Sequence, residues 1–432
     1  MARIKKITAR EILDSRGVPT LEGKLVTDNG IKVYANVSSG ESLGRHEGIE
    51  LRDNDRSRYG GLGVLKAMAY INQSIGPKLE GVEVNKLEEI DNWLLKADGD
   101  ERYARLGVNT IMTISQLVLK AAAVDADLAL YEFINKVYND KFNQHITLDR
   151  LPTAIYNMIN GGSHGTKNLD FQEFHIVPST STLFSDSLQL AIEAYSGLKY
   201  LFYERNADVS VSEEGGFTPN LFTNTEALEI IKEVLLSKKM TLGVEVFTGI
   251  DCAPAYFFKD NHYGIKDKGN PLTPKEYMEF IIEAVNKYNM LILEDPFDEE
   301  DYQSWTKLTA EIGKQTYVVA DDFVAGNLKR LQKAVEQNAC NSVLLKSNQV
   351  ATMSEMLRLI AEAKKSQIKV IISHRLGETN DSLVADLAVG VQADFVKFGS
   401  PARGERIAKY NRLLNIEYKL DQKSKEVKPA KS

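Results

Sequence analysis

Polar and apolar positions along this chain follow two rhythms, and the switch between them falls near residue 140. Residues 4–7, 20–27 and 31–37 read as strands, the longer two with the alternation of a half-buried face. Asp28-Asn29-Gly30 joins the last two, and Asn-Gly favours a hairpin because both residues tolerate positive φ. Residues 62–75 and 108–124 instead carry apolar side chains at helical spacing, with Ala121, Ala122 and Ala123 giving a closely packing face. Together these predict an α+β amino-terminal domain over residues 1–138, with the polar stretch 138–145 as linker. Beyond it, short apolar runs alternate with amphipathic stretches at 183–203, 226–237, 274–288, 353–364 and 382–391. Strand candidates end near Asn160, Val177, Val211, Asp251, Glu294, Asp321, Lys346, Ser373 and Lys397. That pattern predicts an α/β fold whose part over 146–420 is a (β/α) barrel with one or two extra strands. A polar, lysine-rich tail follows at 421–432, where Lys423, Lys425, Lys428 and Lys431 offer charge to a partner or to water.

Four of the apolar runs stop abruptly on charge: at Lys346, at Asp251, at Glu294-Asp295 and at Asp321-Asp322. Parallel strands gather chemistry at their carboxyl ends, so these charges point to one site. Asp251, Glu294 and Asp321 are hard oxygen donors on three separate strands; converging, they would require a divalent cation such as Mg²⁺, because unpaired carboxylates at close range repel. The competing reading is that they cap the helices that follow. Lys346 and Lys397 end two further strands, and a second ammonium, a metal and burial would lower a lysine toward a usable base. Salt bridges to the neighbouring acids are the alternative. A proton taken from beside a carboxylate leaves a doubly charged enolate, so base and metal belong together. Glu213-Glu214-Gly215-Gly216 offers paired acids beside a glycine turn, from which Glu214 could act as general acid. His164 after Asn160-Gly161-Gly162-Ser163, and His374-Arg375 after Ser373, place imidazoles and a guanidinium at strand ends; arginine is the favoured partner of phosphate or carboxylate. The small-residue stretch 39–44 is a loop suited to closing over a ligand.

Composition narrows the partners. The 432 residues are 43% apolar and 26% charged with a net charge of −7, which argues against nucleic acid. No apolar run reaches bilayer length and the start lacks a signal-peptide core, so the reading is a cytoplasmic protein. Cys252 and Cys340, each inside an apolar run, suit reduced thiols rather than a disulfide scaffold.

These residues resemble the enolase family. The likeness runs from Arg10-Glu-Ile-Leu-Asp-Ser-Arg-Gly17 through Glu50-Leu-Arg-Asp53, Gln172-Glu-Phe174, Leu344-Leu-Lys-Ser-Asn-Gln349 and Ser373-His-Arg-Leu-Gly-Glu-Thr379 to Arg406-Ile-Ala-Lys-Tyr-Asn411. It implies a barrel with an irregular start, dehydration of 2-phosphoglycerate to phosphoenolpyruvate in glycolysis, and a homodimer or octamer. It further implies two Mg²⁺ ions per site, the second arriving with substrate. By motif, Asp251, Glu294 and Asp321 resemble the ligands of the first ion, Lys346 the base and Glu214 the acid. Glu173 and His164 fall beside the leaving group. Gln172, His374, Arg375 and Lys397 match substrate-binding positions, Arg375 at the phosphate and Lys397 at the carboxylate, and Ser42 matches a ligand of the second ion. The chain departs from the family's pattern at Val18, Glu41, Leu43, Ser212, Glu213, Leu376 and Phe398. Leu376 replaces a serine beside Arg375, and a lost hydrogen bond to a charged oxygen costs on the order of 1.5–3 kcal/mol. Two other readings follow from these changes: a paralogue acting on a different carboxylic acid, and a non-catalytic binding protein on the same fold.

Overall fold

The computed structural model describes residues 1–40 and 47–427, with side chains through Lys423. Glu41, Ser42 and Leu43, and the lysines at 425, 428 and 431, therefore lie outside the described side chains. The chain opens as an antiparallel sheet of Ile4–Leu13, Pro19–Thr27 and Lys32–Asn36 in that order. Its second turn is not a two-residue hairpin with both residues at positive φ. Gly30 alone has positive φ (92°), and the Thr27 N–H donates to Ile31 O at 3.0 Å across a longer loop. The helix Val108–Asp125, buried along most of its length, lies across this sheet. Residues 62–75 do not form one helix: Leu65–Ala69 passes into a π-helical segment, Tyr70–Ile75, just before Pro77, which has no N–H to continue the ladder.

The expected linker begins too early. Leu130–Phe142 is a helix, because Tyr131, Ile134 and Tyr138 recur at helical spacing and are buried. The chain leaves it only at Asn143, in the left-handed conformation (φ 50°). At the other end, Gly404–Val427 is a single helix that runs past residue 420.

Eight strands then close a barrel: Thr153–Asn160, Glu173–Pro178, Val246–Asp251, Met290–Glu294, Tyr317–Ala320, Ser342–Lys346, Lys369–Ser373 and Phe395–Lys397. Neighbours run parallel except Glu173–Pro178, which is antiparallel to the strands on both sides. An apolar run carries no direction, so this reversal was not readable from the pattern. The candidate ending at Val211 is not a barrel strand; it makes an isolated bridge to Phe217. Ile155, Val177, Ile292, Val319, Leu344, Ile371 and Phe395 project inward from seven of the strands and fill the lumen as a dry plug. Ser39 and Gly377 exchange backbone hydrogen bonds of 2.7 and 3.0 Å, fastening the amino-terminal segment over the open end of the barrel.

Candidate active site

Residues two apart on a strand face the same way, so the plug dictates what stands above it. Lys346 lies two positions beyond Leu344, Lys397 two beyond Phe395, Glu294 two beyond Ile292 and Asp321 two beyond Val319. On the reversed strand the order inverts: Glu173 precedes Val177 by four and so reaches the same end, where it pairs in register with Asp251, itself level with Glu294. A cavity of about 680 Å³ opens there. Every candidate within the described residues lines it except Glu294, which is fully buried beneath Lys397.

Lys397 is the hub of one wall. Its Nζ donates to Glu294 Oε1 and Oε2 at 2.7 and 2.8 Å, and lies 3.2 Å from Glu173 Oε2 and 3.6 Å from Asp251 Oδ2. Burial alone would lower this lysine, but Glu173, Glu294 and Asp251 outweigh it and hold the ammonium far above its ordinary value. Lys346 likewise donates to Asp321 Oδ2. From the protein's own groups alone, burial pulls Lys346 down, yet Asp321 and then Asp322 raise it above normal, the reverse of the lowering expected with a metal beside it. The salt-bridged alternative describes both lysines in this state.

Across the lumen, Glu214 sits in a turn that a local hydroxyl builds. Ser212 Oγ accepts from the Glu214 N–H at 3.0 Å and donates to Asn160 Oδ1 at 2.7 Å. Glu214 Oε2 then accepts from Asn160 Nδ2 (3.1 Å) and Asn157 Nδ2 (3.3 Å) and meets His164 Nδ1 at 3.2 Å; Oε1 lies 3.3 Å from His374 Nε2. Burial and the nearby Glu173 push this carboxyl up, but His164 and these donors win and bring it well below the usual carboxylate range. His164 answers in the opposite sense: burial disfavours its charge, but Glu214 and Glu173 raise it to about 10. The proton of this group therefore rests on His164.

Arg375 forms a forked ion pair with Glu47, Nη1 to Oε1 and Nη2 to Oε2, both 2.9 Å. Burial would raise Glu47, but the guanidinium dominates and holds it at about 2. Gln349 bridges the two halves of this wall, its Nε2 donating to Glu47 Oε1 at 3.1 Å and to Asp321 Oδ1 at 3.2 Å. Gln172 Nε2 donates to Asp251 Oδ2 at 3.2 Å. Glu47, Gln349, Asn157, Asn160 and Arg406 were absent from the sequence-derived site. Their partners are distant in the chain, 328 positions for Glu47 and Arg375, and no local spacing signals such a pair.

The wall around Asp251 fits a divalent cation. Burial first, then Glu173, Asp295 and Asp321, raise Asp251 well above the carboxylate range despite Lys397; burial and then Asp251 do the same to Glu294. Asp251 Oδ1 is buried without a hydrogen-bond partner. Crowded hard oxygens with an orphaned acceptor suit Mg²⁺. Among the described residues the tightest ligand groupings are Asp295, Asp321 and Asp322, and His164, Glu173 and Glu214. The three carboxylates singled out from the sequence are instead divided between Lys397 and Lys346. Of the departures, Leu376 is half-buried on the cavity wall, whereas Phe398 is fully buried against Tyr410, with ring centroids 6.0 Å apart. Val18 works through its backbone, exchanging bonds with Asp14 at 2.8 and 2.9 Å.

Two family descriptions match the chain: "Enolase, N-terminal domain" over residues 4–134 and "Enolase, C-terminal TIM barrel domain" over residues 149–428. The enolase of Ehrlichia canis is 40% identical over 418 residues, 97% of this chain and 97% of its own length. That of Ehrlichia chaffeensis is 39% identical over 414 residues, 96% of each. A barrel with one reversed strand, a crown of lysines and carboxylates above its plug, and likeness across almost the whole length lead to one conclusion: this chain belongs to the enolase family.

Proposed function

We propose that the protein carries out its family's reaction, the reversible loss of water from 2-phosphoglycerate to give phosphoenolpyruvate. The observation that carries this reading is the placement of Lys346 and Glu214. Lys346 ends a strand three places around the barrel from Thr153–Asn160, whose asparagines hold Glu214, so a base and an acid face each other across one cavity. Lys346 takes the proton alpha to the substrate carboxylate. Glu214, taking over the proton that His164 holds, protonates the departing hydroxyl on the opposite side, so that the C–H and C–O bonds break and water leaves. Lys397 pairs with the substrate carboxylate and Arg375 takes the phosphoryl group, with His374 and Gln172 lining the same space. Asp251, Glu294 and Asp321 would hold Mg²⁺, whose charge stabilises the enolate oxygens and offsets the acid that holds the Lys346 proton. A second Mg²⁺ entering with substrate, with Ser42 as a ligand, completes the proposal.

The protein would act in the cytoplasm as a homodimer or octamer; sedimentation distinguishes the two. Among the described residues no helix is long and apolar enough to cross a membrane. The activity is tested by following the ultraviolet absorbance of the enol product from 2-phosphoglycerate. Turnover of roughly 1–10³ s⁻¹ with Mg²⁺, lost on chelation, is expected. No turnover in the presence of Mg²⁺ would overturn the proposal.

A further inference from the structure

Arg406 is the largest charged side chain fully buried in the described residues, and it lies behind the site rather than in it. Its Nη1 is 2.9 Å from His374 Nδ1 and 2.7 Å from Arg375 O; its Nη2 is 2.7 Å from Leu376 O and 3.1 Å from Glu213 O. One guanidinium thus ties the loop that carries Arg375 to the turn that carries Glu214. The bond to His374 has a chemical consequence. A guanidinium has donors only and keeps its proton, so His374 Nδ1 must offer a lone pair. The remaining ring nitrogen, Nε2, points at Glu214 Oε1 from 3.3 Å.

We propose that Arg406 is a positioning residue that fixes His374 as the neutral Nε2–H tautomer, making it a standing hydrogen-bond donor to Glu214. An Nδ1–H tautomer would set donor against donor at Arg406 and lone pair against carboxylate at Glu214, two errors at once. A doubly protonated ring would keep the first error. The charged groups acting on this ring are Arg406, Glu214 and Glu173. Burial, and next Arg406, hold the imidazole below its ordinary value against the pull of the two acids. Three backbone carbonyls anchor the guanidinium, so it cannot turn away when the ring moves. Glu214 therefore keeps one oxygen on a donor that does not titrate, while its other oxygen exchanges its proton with His164.

The tautomer is read directly in the full-length protein labelled with ¹⁵N-histidine, from two-bond proton–nitrogen correlations, with His374→Gln assigning the signal. Nδ1 without a proton and Nε2 with one, unchanged from about pH 5 to about pH 8, is expected; an ordinary histidine titrates in that window. An Nδ1–H pattern, or titration within the window, overturns the proposal without any variant having to fold. In Arg406→Lys, which keeps charge but loses the fork, the His374 signal should become a tautomer mixture. There kcat should fall about 10–100-fold, as for outer partners of a fixed imidazole, with KM little changed. A folded variant with unaltered tautomer and kcat would equally overturn it. The catalytic consequence rests on reading Glu214 as the acid. If Glu214→Gln keeps full elimination activity, that reading fails while the tautomer result stands.

Discussion

The two walls of the cavity use the same side chains and charge them in opposite ways. Around Lys397 and Lys346, Asp251, Glu294 and Asp295 are buried among one another, and burial with mutual repulsion raises all three. Around Glu214, two asparagines and two histidines supply donors and Glu214 is lowered instead, while Glu173, between the walls, is lowered first by Lys397 and then by His164 and His175. Burial is common to both walls, so it cannot be what separates them. The difference is what each carboxylate meets. One wall presents negative charge in excess of its protein cations, the state that calls for an added cation; the other presents negative charge already satisfied by donors that can pass protons. A single barrel end thereby holds a metal-ready half and a proton-handling half.

Removing Lys346, the base of the proposed reaction, should break the comparison most severely. Lys346→Ala is expected to abolish exchange of the alpha proton of 2-phosphoglycerate with solvent deuterium, a loss of about 10²–10⁴-fold followed by proton NMR. Glu214→Gln should slow elimination by a similar factor while sparing that exchange, because it touches only the later bond. If Glu214→Gln stopped exchange and Lys346→Ala did not, the two walls would have been assigned the wrong way round.

Lys397→Met tests the excess of negative charge on the first wall. It leaves Glu294 and Asp251 buried without their ammonium, and breaking a buried pair from one side costs roughly 3–5 kcal/mol. Denaturant unfolding without Mg²⁺ should show a loss of that order, and saturating Mg²⁺ should restore part of it. A variant equally destabilised with and without the ion would mean that the carboxylates there do not form a cation site.

Asp91 separates burial from crowding, because it is raised to about 6 chiefly by desolvation, far from the cavity. Its Oδ2 accepts from the Ser354 N–H at 3.1 Å, across the contact between helices Leu87–Asp98 and Met353–Lys365. Its folded value lies above its unfolded one, so between about pH 4 and pH 6 the folded state binds more protons. Stability from this group is therefore highest below the unfolded value and is lost as pH rises through about 6. Two units correspond to at most roughly 3 kcal/mol. Asp91→Asn should lack that pH slope, so the difference in stability between variant and parent in denaturant titrations should change across this window. An unchanged slope would assign the acid-side stability to the cavity acids instead.

How much of this was legible beforehand depends on whether the signal was local. Lys346, Lys397, Asp251 and Glu294 could be picked out because each ends an apolar run, and a strand end is a local event. The reversed strand Glu173–Pro178 could not, since its apolar run reads alike in either direction; Glu173 entered through family likeness. The misplaced linker has the same root: residues 138–145 are polar on average, yet Tyr138 alone closes the buried face of a helix. For Lys346 the residue types leave a lowered base and a salt-bridged lysine both open, and only the folded geometry, with Asp321 and Asp322 facing it, decides between them. The Arg375–Glu47 pair joins segments 328 residues apart and the Arg406 staple ties Glu213 to residues 374–376, and only the closed barrel brings them together.

The smallest expected effect concerns the rim. Leu376 offers a half-buried apolar side chain where the family pattern has a hydroxyl, and its carbonyl is already engaged by Arg406 at 2.7 Å. The substitution therefore removes a potential donor beside Arg375 without disturbing the backbone that positions it. Arg375 is also forked onto Glu47, so a phosphoryl group arriving there would compete with an internal carboxylate that burial has not neutralised. Leu376→Ser should restore one hydrogen bond to a charged oxygen, about 1.5 kcal/mol, lowering KM for 2-phosphoglycerate roughly tenfold with kcat little changed. Initial rates across substrate concentration separate the two constants. A fall in kcat with KM unaltered would place residue 376 on the proton-handling wall rather than at the phosphate, and the division of the cavity would have to be redrawn there.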